Sequence, residues 1–121
     1  MAERVSVLVV EDEFLIRLDV VSQLEDAGFQ VFEASDADEA IEILNVTSSI
    51  RLLLTDIDMP GTTDGLKLAA AVRDRWPPVK SIVTSGHRVV ENADLPDGSL
   101  FFSKPYVHLA MLKSINELLA A

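Results

Sequence analysis

Acidic residues follow two of the apolar segments of the sequence, and their spacing could support metal chemistry. Glu11 and Asp12 come directly after the segment 5–10, and Asp56 follows the segment 50–55. If the three carboxylates converge, each pair ~4 Å apart repels by about 4 kcal/mol at an effective dielectric of 20, so the group needs a cation. A few oxygen ligands suit a hard ion that keeps several waters, Mg²⁺ before Ca²⁺. The predicted chemistry is therefore Mg²⁺ binding.

Polar side chains also lie at the ends of two further apolar segments. Thr84 and Ser85 stand at the end of one segment, and Lys104 follows another. Each feature alone has an ordinary explanation, because acid pairs and hydroxyl residues often mark helix N-termini and lysines are usually solvated. Those explanations do not account for such residues at four segment ends in one chain. Lys104 could add a fixed positive charge to the acidic residues.

Short apolar runs alternate with helical stretches along the chain, and these are the elements that must position the polar residues. Continuous apolar runs are typical of strands buried on both faces of a sheet. Five strands alternating with helices predict an α/β fold, with a parallel sheet, helices on both faces and ligands bound beyond the carboxyl ends of the strands. Because the chain has no repeat or linker, we expect one domain over 1–121. The predicted strands are 5–10, 29–34, 50–55, 79–84 and 100–103, and the predicted helices are 13–27, 36–45, 64–76 and 106–120.

Apolar residues at helical spacing predict the buried faces of the first and last helices. Leu15 and Leu18 fall off the first of these stripes. With Phe14 they either form an apolar patch beside the acidic residues, which would indicate a partner surface, or pack on a neighbouring helix. The predicted stripes are Ile16, Val20 and Leu24 in the first helix, and Leu109, Leu112, Ile115 and Leu119 in the last.

Residues 86–98 carry the weakest helix signals in the chain. Asn92, Pro96 and Gly98 interrupt any helical pattern there, and few large apolar residues remain for a core-facing stripe. We therefore expect a fourth helix that is short or mobile.

The composition excludes several classes of function. Twenty Asp and Glu against ten Lys and Arg give a net charge of −10, so direct nucleic-acid binding, which needs clustered cations, is not expected. The absence of cysteine excludes disulfide scaffolds, thiolate zinc sites and cysteine nucleophiles, and is compatible with a reducing compartment. No apolar run approaches the ~20 residues of a membrane span. We expect a soluble, cytoplasmic protein without a membrane partner.

Taken together, the motifs resemble the receiver domain of two-component response regulators over essentially the whole chain. The likeness rests on the sequence at 9–13, 54–61, 64–65, 83–86 and 102–105. It implies a flavodoxin-like, doubly wound five-stranded parallel sheet in the order 2-1-3-4-5. It is compatible with a stand-alone receiver of the chemotaxis-regulator type and with a piece of a larger regulator or hybrid kinase.

The resemblance implies a role for each residue at a matching position. Asp56 is then the phosphoacceptor, the Thr84 hydroxyl binds a phosphoryl oxygen, and Lys104 bridges to the carboxylate or the phosphoryl group. Ser85 is the small residue that leaves room for the phosphoryl group. The implied Mg²⁺ ligands are Glu11, Asp12, Asp56 and the backbone carbonyl of Asp58.

Two further implied features concern the conformational switch and the backbone. Phe101 stands where the family has a rotating aromatic residue, which acts together with Thr84. The peptide bond before Pro105 is expected to be cis, although only ~5–6% of X–Pro bonds in folded proteins have the cis form.

The implied function is that of a phosphorelay switch. The donor is expected to be the phosphohistidine of a sensor histidine kinase or of a histidine phosphotransfer protein, and the output partner is unidentified. Slow self-dephosphorylation would make the domain a signalling device and not an ordinary turnover enzyme.

Three other interpretations of the same residues remain open at this point. Asp56-x-Asp58 resembles the motif of haloacid-dehalogenase phosphatases, although Met59 and Pro60 follow where that family has Thr or Val. A pseudo-receiver would keep the fold without being phosphorylated. A flavodoxin-like FMN binder is disfavoured because the acidic residues at 11–13 would repel its phosphate.

Overall fold

The structure, a computed structural model, describes residues 5–58, 64–86, 95–96 and 98–120. They form a five-stranded sheet in the order β2-β1-β3-β4-β5, in which all neighbouring strands are parallel. The expected α/β architecture and strand order are therefore confirmed. The strands are β1 (Ser6–Val10), β2 (Gln30–Ala34), β3 (Ile50–Asp56), β4 (Lys80–Ser85) and β5 (Leu100–Ser103), and the helices are α1 (Phe14–Asp26), α2 (Ala37–Val46), α3 (Gly65–Arg75) and α4 (His108–Ala120).

The helices cover both faces of the sheet, and each face has its own apolar core. The inner strand β1 is buried along its whole length, as its apolar run predicted. Alternate residues of β1 point to opposite faces. Leu8 and Val10 pack with α2 and α3, whereas Val7 and Val9 pack with α1 and α4.

Side-chain caps fix where two of the helices begin. The Asp36 carboxylate caps α2 by accepting a hydrogen bond from the Glu39 backbone N–H at 2.8 Å. Asp64 caps α3 in the same way by accepting from the Lys67 backbone N–H at 2.9 Å. The cap at Asp64 ties the start of α3 to the loop that follows β3.

Two predicted core positions are wrong. Ile16 is 37% exposed because it lines a cavity beside Lys104 and Tyr106, and Leu109 is 75% exposed on α4. In α4 the buried residues are Met111 and Ile115. Leu109, Met111 and Leu112 are all apolar, so the sequence is compatible with more than one stripe, and packing against β3 and β4 selects the one through Met111.

Leu15 lies on the solvent side of α1, at 76% exposure, with Phe14 at 61% and Leu18 at 51%. These fractions favour the apolar patch over packing on a neighbouring helix within the described part of the chain. The prediction of a short or mobile fourth helix concerns 86–98, of which 87–94 and 97 lie outside the described residues.

The start of α3 lies directly against the end of β3. The Gly65 backbone N–H donates to the Ile57 carbonyl at 3.2 Å. A Cβ at position 65 would collide with the Asp56 carbonyl oxygen, and would lie 2.8 Å from the Asp56 carbonyl carbon and 2.9 Å from Ile57 Cα. Only glycine permits this approach, so Gly65 helps to set the position of Asp56.

Gly65→Ala is therefore expected to destabilise the fold by ~3 kcal/mol, since overpacking against backbone cannot be relieved by a side-chain rotation. Urea unfolding measures the change. The matched control is Gly86→Ala, whose new Cβ would meet Lys104 Cβ at an ordinary 3.8 Å. Surface substitutions usually change the free energy of unfolding by no more than ~0.5 kcal/mol. A loss of that size for Gly65→Ala would contradict the predicted collision with the Asp56 backbone.

Candidate functional site

The polar residues lie at the carboxyl ends of the parallel strands. β1 and β3 are neighbours although β2 comes between them in the chain, so the chain reverses its crossover direction at this point of the sheet. β1 leads into Glu11 and Asp12, β3 ends on Asp56, β4 carries Thr84 and β5 leads to Lys104. Asp56 and Thr84 are register partners across β3 and β4.

Three carboxylates meet at this edge and are called here the acidic group: Glu11, Asp12 and Asp56. Each contributes one oxygen, and these oxygens all lie within 4.8 Å of one another. Glu11 is 5% exposed and Asp56 is 9% exposed, whereas Asp12 is open to solvent. The acidic group thus has two buried members and one through which an ion could enter.

Lys104 connects two members of the acidic group. Its Nζ donates to Glu11 Oε1 at 2.9 Å and to Asp56 Oδ2 at 3.1 Å. The Lys104–Pro105 peptide bond is cis. One ammonium offsets only one of the three negative charges.

Burial and pairing act in opposite directions on these groups. Burial raises the pKa of the Glu11 carboxyl above its ordinary value, and the hydrogen bond from Lys104 lowers that pKa by less. Burial would lower the pKa of the Lys104 ammonium, but its bonds to Glu11 and Asp56 raise that pKa overall. Lys104 is therefore cationic at neutral pH, while ionised Glu11 retains a desolvation cost that further positive charge would reduce.

The donor set fits Mg²⁺. All three side chains offer hard carboxylate oxygens, and the number of ligands is small enough for the ion to keep several waters. The uncompensated negative charge favours a divalent cation. The fourth ligand implied by the resemblance, the backbone carbonyl of Asp58, stays a prediction.

The side chain of Asp58 is held by the neighbouring strand. Ser85 Oγ donates to Asp58 Oδ2 at 2.8 Å, and the Asp58 backbone N–H donates to Asp56 Oδ1 at 3.3 Å. Asp58 is thus held both to the carboxylate at position 56 and to the end of β4.

The two implied switch residues lie in different surroundings. Thr84 is 4% exposed and lines a small cavity together with Asp56 and Lys104. Phe101 is half-buried and packs on a small core cluster formed by Ile57, Ala69 and Val83. The structure therefore places Thr84 next to the acidic group, whereas Phe101 contacts the core cluster that contains Ile57.

Arg17 is a site residue that the sequence interpretation missed. Its Nη1 donates to the Glu11 carbonyl at 2.7 Å, and its Nε pairs with Glu33 Oε1 at 3.2 Å. The arginine holds the loop between β1 and α1 to β2 and so positions the start of the acidic group. The sequence did contain a signal for this contact, since Arg17 lies one turn into the helix that follows the acidic pair at 11–12.

Tyr106 is a second residue that was not predicted. It lines, with Lys104 and Ile16, a cavity of about 470 Å³ between α1 and the segment that joins β5 to α4. Burial raises the pKa of its hydroxyl. Because the cavity also contains Asp19 and His108, it presents both polar and apolar groups next to Lys104.

No helix within the described ranges is both long and apolar enough to cross a bilayer.

Comparisons with known proteins agree with this geometry. A sequence model of the response regulator receiver domain matches residues 7–116. The chain is 31% identical over 98% of its length to the hydrogenase transcriptional regulatory protein HoxA of Cupriavidus necator, and 32% identical over 94% of its length to the sensor kinase CckA of Brucella abortus. It spans 25% of the first relative and 12% of the second.

A solved structure gives the same result in three dimensions. The response regulator receiver protein from Sinorhizobium medicae WSM419 superposes with a TM-score of 0.89 at 34% identity, covering 98% of this chain and 97% of that one. The family match covers most of the chain, and the fold agrees over almost all of it. The chain therefore belongs to the receiver domains of two-component response regulators.

Proposed function

We propose that this domain accepts a phosphoryl group on Asp56 from a phosphohistidine, with Mg²⁺ held by the acidic group and the Asp58 carbonyl, and that the modification alters partner binding. The observation that carries the proposal is the double contact of Lys104. Its ammonium touches both Glu11 and the Asp56 carboxylate, the two buried members of the acidic group, whose three donor oxygens lie within 4.8 Å of one another. Charge-neutralising groups around one nucleophile are what phosphoryl transfer requires.

The transfer step follows from these positions. An oxygen of the Asp56 carboxylate bonds to phosphorus as the P–N bond to the donor imidazole breaks, and the imidazole nitrogen keeps the electron pair. Lys104 neutralises developing negative charge, and the Thr84 hydroxyl donates to a phosphoryl oxygen. Mg²⁺, when bound, neutralises charge on the equatorial oxygens.

The acyl phosphate is then lost by hydrolysis. Water attacks phosphorus, the bond from phosphorus to the Asp56 oxygen breaks, and the carboxylate and inorganic phosphate are released. This slow reaction resets the switch. We propose that Thr84 and Phe101 transmit the phosphorylated state, because the first lies beside Asp56 and the second packs on Ile57, the next residue.

The donor and its location belong to the same proposal. A sensor histidine kinase or a histidine phosphotransfer protein is the expected donor, and one of the relatives is itself a sensor kinase. A cytoplasmic location is supported by the absence of cysteine, which is compatible with a reducing compartment. The domain is proposed to cover the whole of 1–121, and its output partner is expected to be a protein, since a charge of −10 disfavours nucleic acid.

Uptake of phosphate tests the proposal. Intact-mass spectrometry after incubation with acetyl phosphate should show one added phosphoryl group when Mg²⁺ is present and none when a chelator removes it. A pseudo-receiver would take up no phosphate under either condition, and that result would overturn the proposal.

The exposed patch of Phe14, Leu15 and Leu18 supplies a prediction about the protein donor. Leu15→Asp is expected to slow transfer from a phosphohistidine protein by roughly thirtyfold, the ~2 kcal/mol scale of an interface hot spot, and to leave uptake from acetyl phosphate unchanged. Stopped-flow or gel-based phosphotransfer measures both rates. Val46→Asp is the control, since Val46 is 84% exposed at the end of α2. Equal loss with both donors would mean that the patch has no docking role.

A further inference from the structure

A buried serine determines where the second aspartate of the β3 loop points. Ser85 is fully buried on β4, and its Oγ donates to Asp58 Oδ2 at 2.8 Å. A hydroxyl bonded to a carboxylate is a charge-assisted contact, and burial of the donor shields it from competing water. The contact therefore fixes one orientation of the Asp58 side chain.

The backbone of Asp58 lies close enough to the acidic group for another orientation to matter. Its N–H donates to Asp56 Oδ1 at 3.3 Å, and Cα follows that nitrogen after one bond of about 1.5 Å. The side chain thus pivots beside the carboxylate at position 56. Among the described residues the oxygens that gather within 4.8 Å come from Glu11, Asp12 and Asp56, and Asp58 contributes none.

We infer that Ser85 is a positioning residue that keeps the Asp58 carboxylate out of the acidic group and so limits the charge and ligand number of the cation site. Four carboxylates would hold a divalent cation more tightly and would favour Ca²⁺, which takes more oxygen ligands than Mg²⁺. They would also repel the incoming phosphoryl group. This second consequence rests on the proposed function; the effect on cation binding does not.

Cation binding without any phosphodonor tests the inference. Titration of the purified protein with Mg²⁺, and separately with Ca²⁺, is followed by backbone amide shifts of Asp12 and Asp58. Ser85→Ala is expected to bind Mg²⁺ roughly three- to tenfold more tightly than the unmodified protein, with a larger gain for Ca²⁺. A general loss of structure would weaken binding, so this direction separates positioning from a folding defect.

Three further variants complete the test. Ser81→Ala removes another buried hydroxyl from β4 and should leave both affinities unchanged. Asp58→Asn keeps the backbone carbonyl and removes the carboxylate, so the Ser85→Ala gain should vanish when it is made in the Asp58→Asn background. Ser85→Cys keeps the side-chain shape, in a slightly larger form, with a weak donor and should reproduce the gain if the alanine variant folds poorly.

The inference is overturned if Ser85→Ala and Ser85→Cys bind Mg²⁺ no more tightly than the unmodified protein, or if the gain persists without the Asp58 carboxylate. If the cation affinities change as expected but the protein takes up no phosphate, the result counts against the proposed function alone.

Discussion

Replacing Asp56 by Asn is expected to abolish phosphorylation completely. The side-chain amide has no carboxylate oxygen to bond to phosphorus, and the Lys104 contact at 3.1 Å loses its charged partner. The variant should still fold, because removing one of three neighbouring negative charges reduces their repulsion. Intact-mass spectrometry after treatment with acetyl phosphate and Mg²⁺ measures the result, and acid lability and hydroxylamine sensitivity identify the acyl phosphate.

Asp64→Asn is the matched control for this substitution. Asp64 lies in the connection between β3 and α3, where it caps the helix by accepting from the Lys67 N–H. Asparagine caps helices about as well as aspartate, so this variant should take up phosphate normally. Acid-labile phosphate on Asp56→Asn would show that another residue is the acceptor.

Asp12→Asn is expected to have the second largest effect, a loss of roughly a hundredfold or more in Mg²⁺-dependent phosphorylation. Changes in the outer shell of a metal site already cost ~10–100-fold, and Asp12 is proposed to bind the ion itself. Asp12 is the exposed member of the acidic group, so its replacement leaves the packing of the apolar cores intact. Initial rates of phosphate uptake at several Mg²⁺ concentrations measure the effect.

Glu13→Gln provides the control for Asp12→Asn, because it removes the same charge one residue later and outside the acidic group. Thermal unfolding of both variants should match or exceed that of the unmodified protein. A normal uptake rate for Asp12→Asn at limiting Mg²⁺ would mean that the ion is bound elsewhere.

The sheet could be predicted from the sequence because its central strands are buried on both faces. The segments 7–10 and 52–54 are continuously apolar, and that pattern is hard to mistake. The location of the site residues at the carboxyl ends of the strands could be predicted for a related reason. In a parallel sheet the residues after each strand meet at one edge, whatever the details of the helices.

Helix faces and side-chain orientations were less predictable. Leu109 lies in a helix with apolar residues on more than one side, so the sequence could not determine which side faces the sheet. The Ser85 contact with Asp58 joins residues that are 27 positions apart in the chain and adjacent only after folding. This pair leaves no local pattern in the sequence.

The position of the acyl phosphate is the most direct test of the account. After treatment with acetyl phosphate and Mg²⁺, borohydride reduces a phosphorylated aspartate to homoserine, and peptide mass spectrometry locates the changed residue. The account predicts homoserine at position 56 and unmodified aspartate at positions 12 and 58. Homoserine at another position, or none anywhere in the chain, would contradict it.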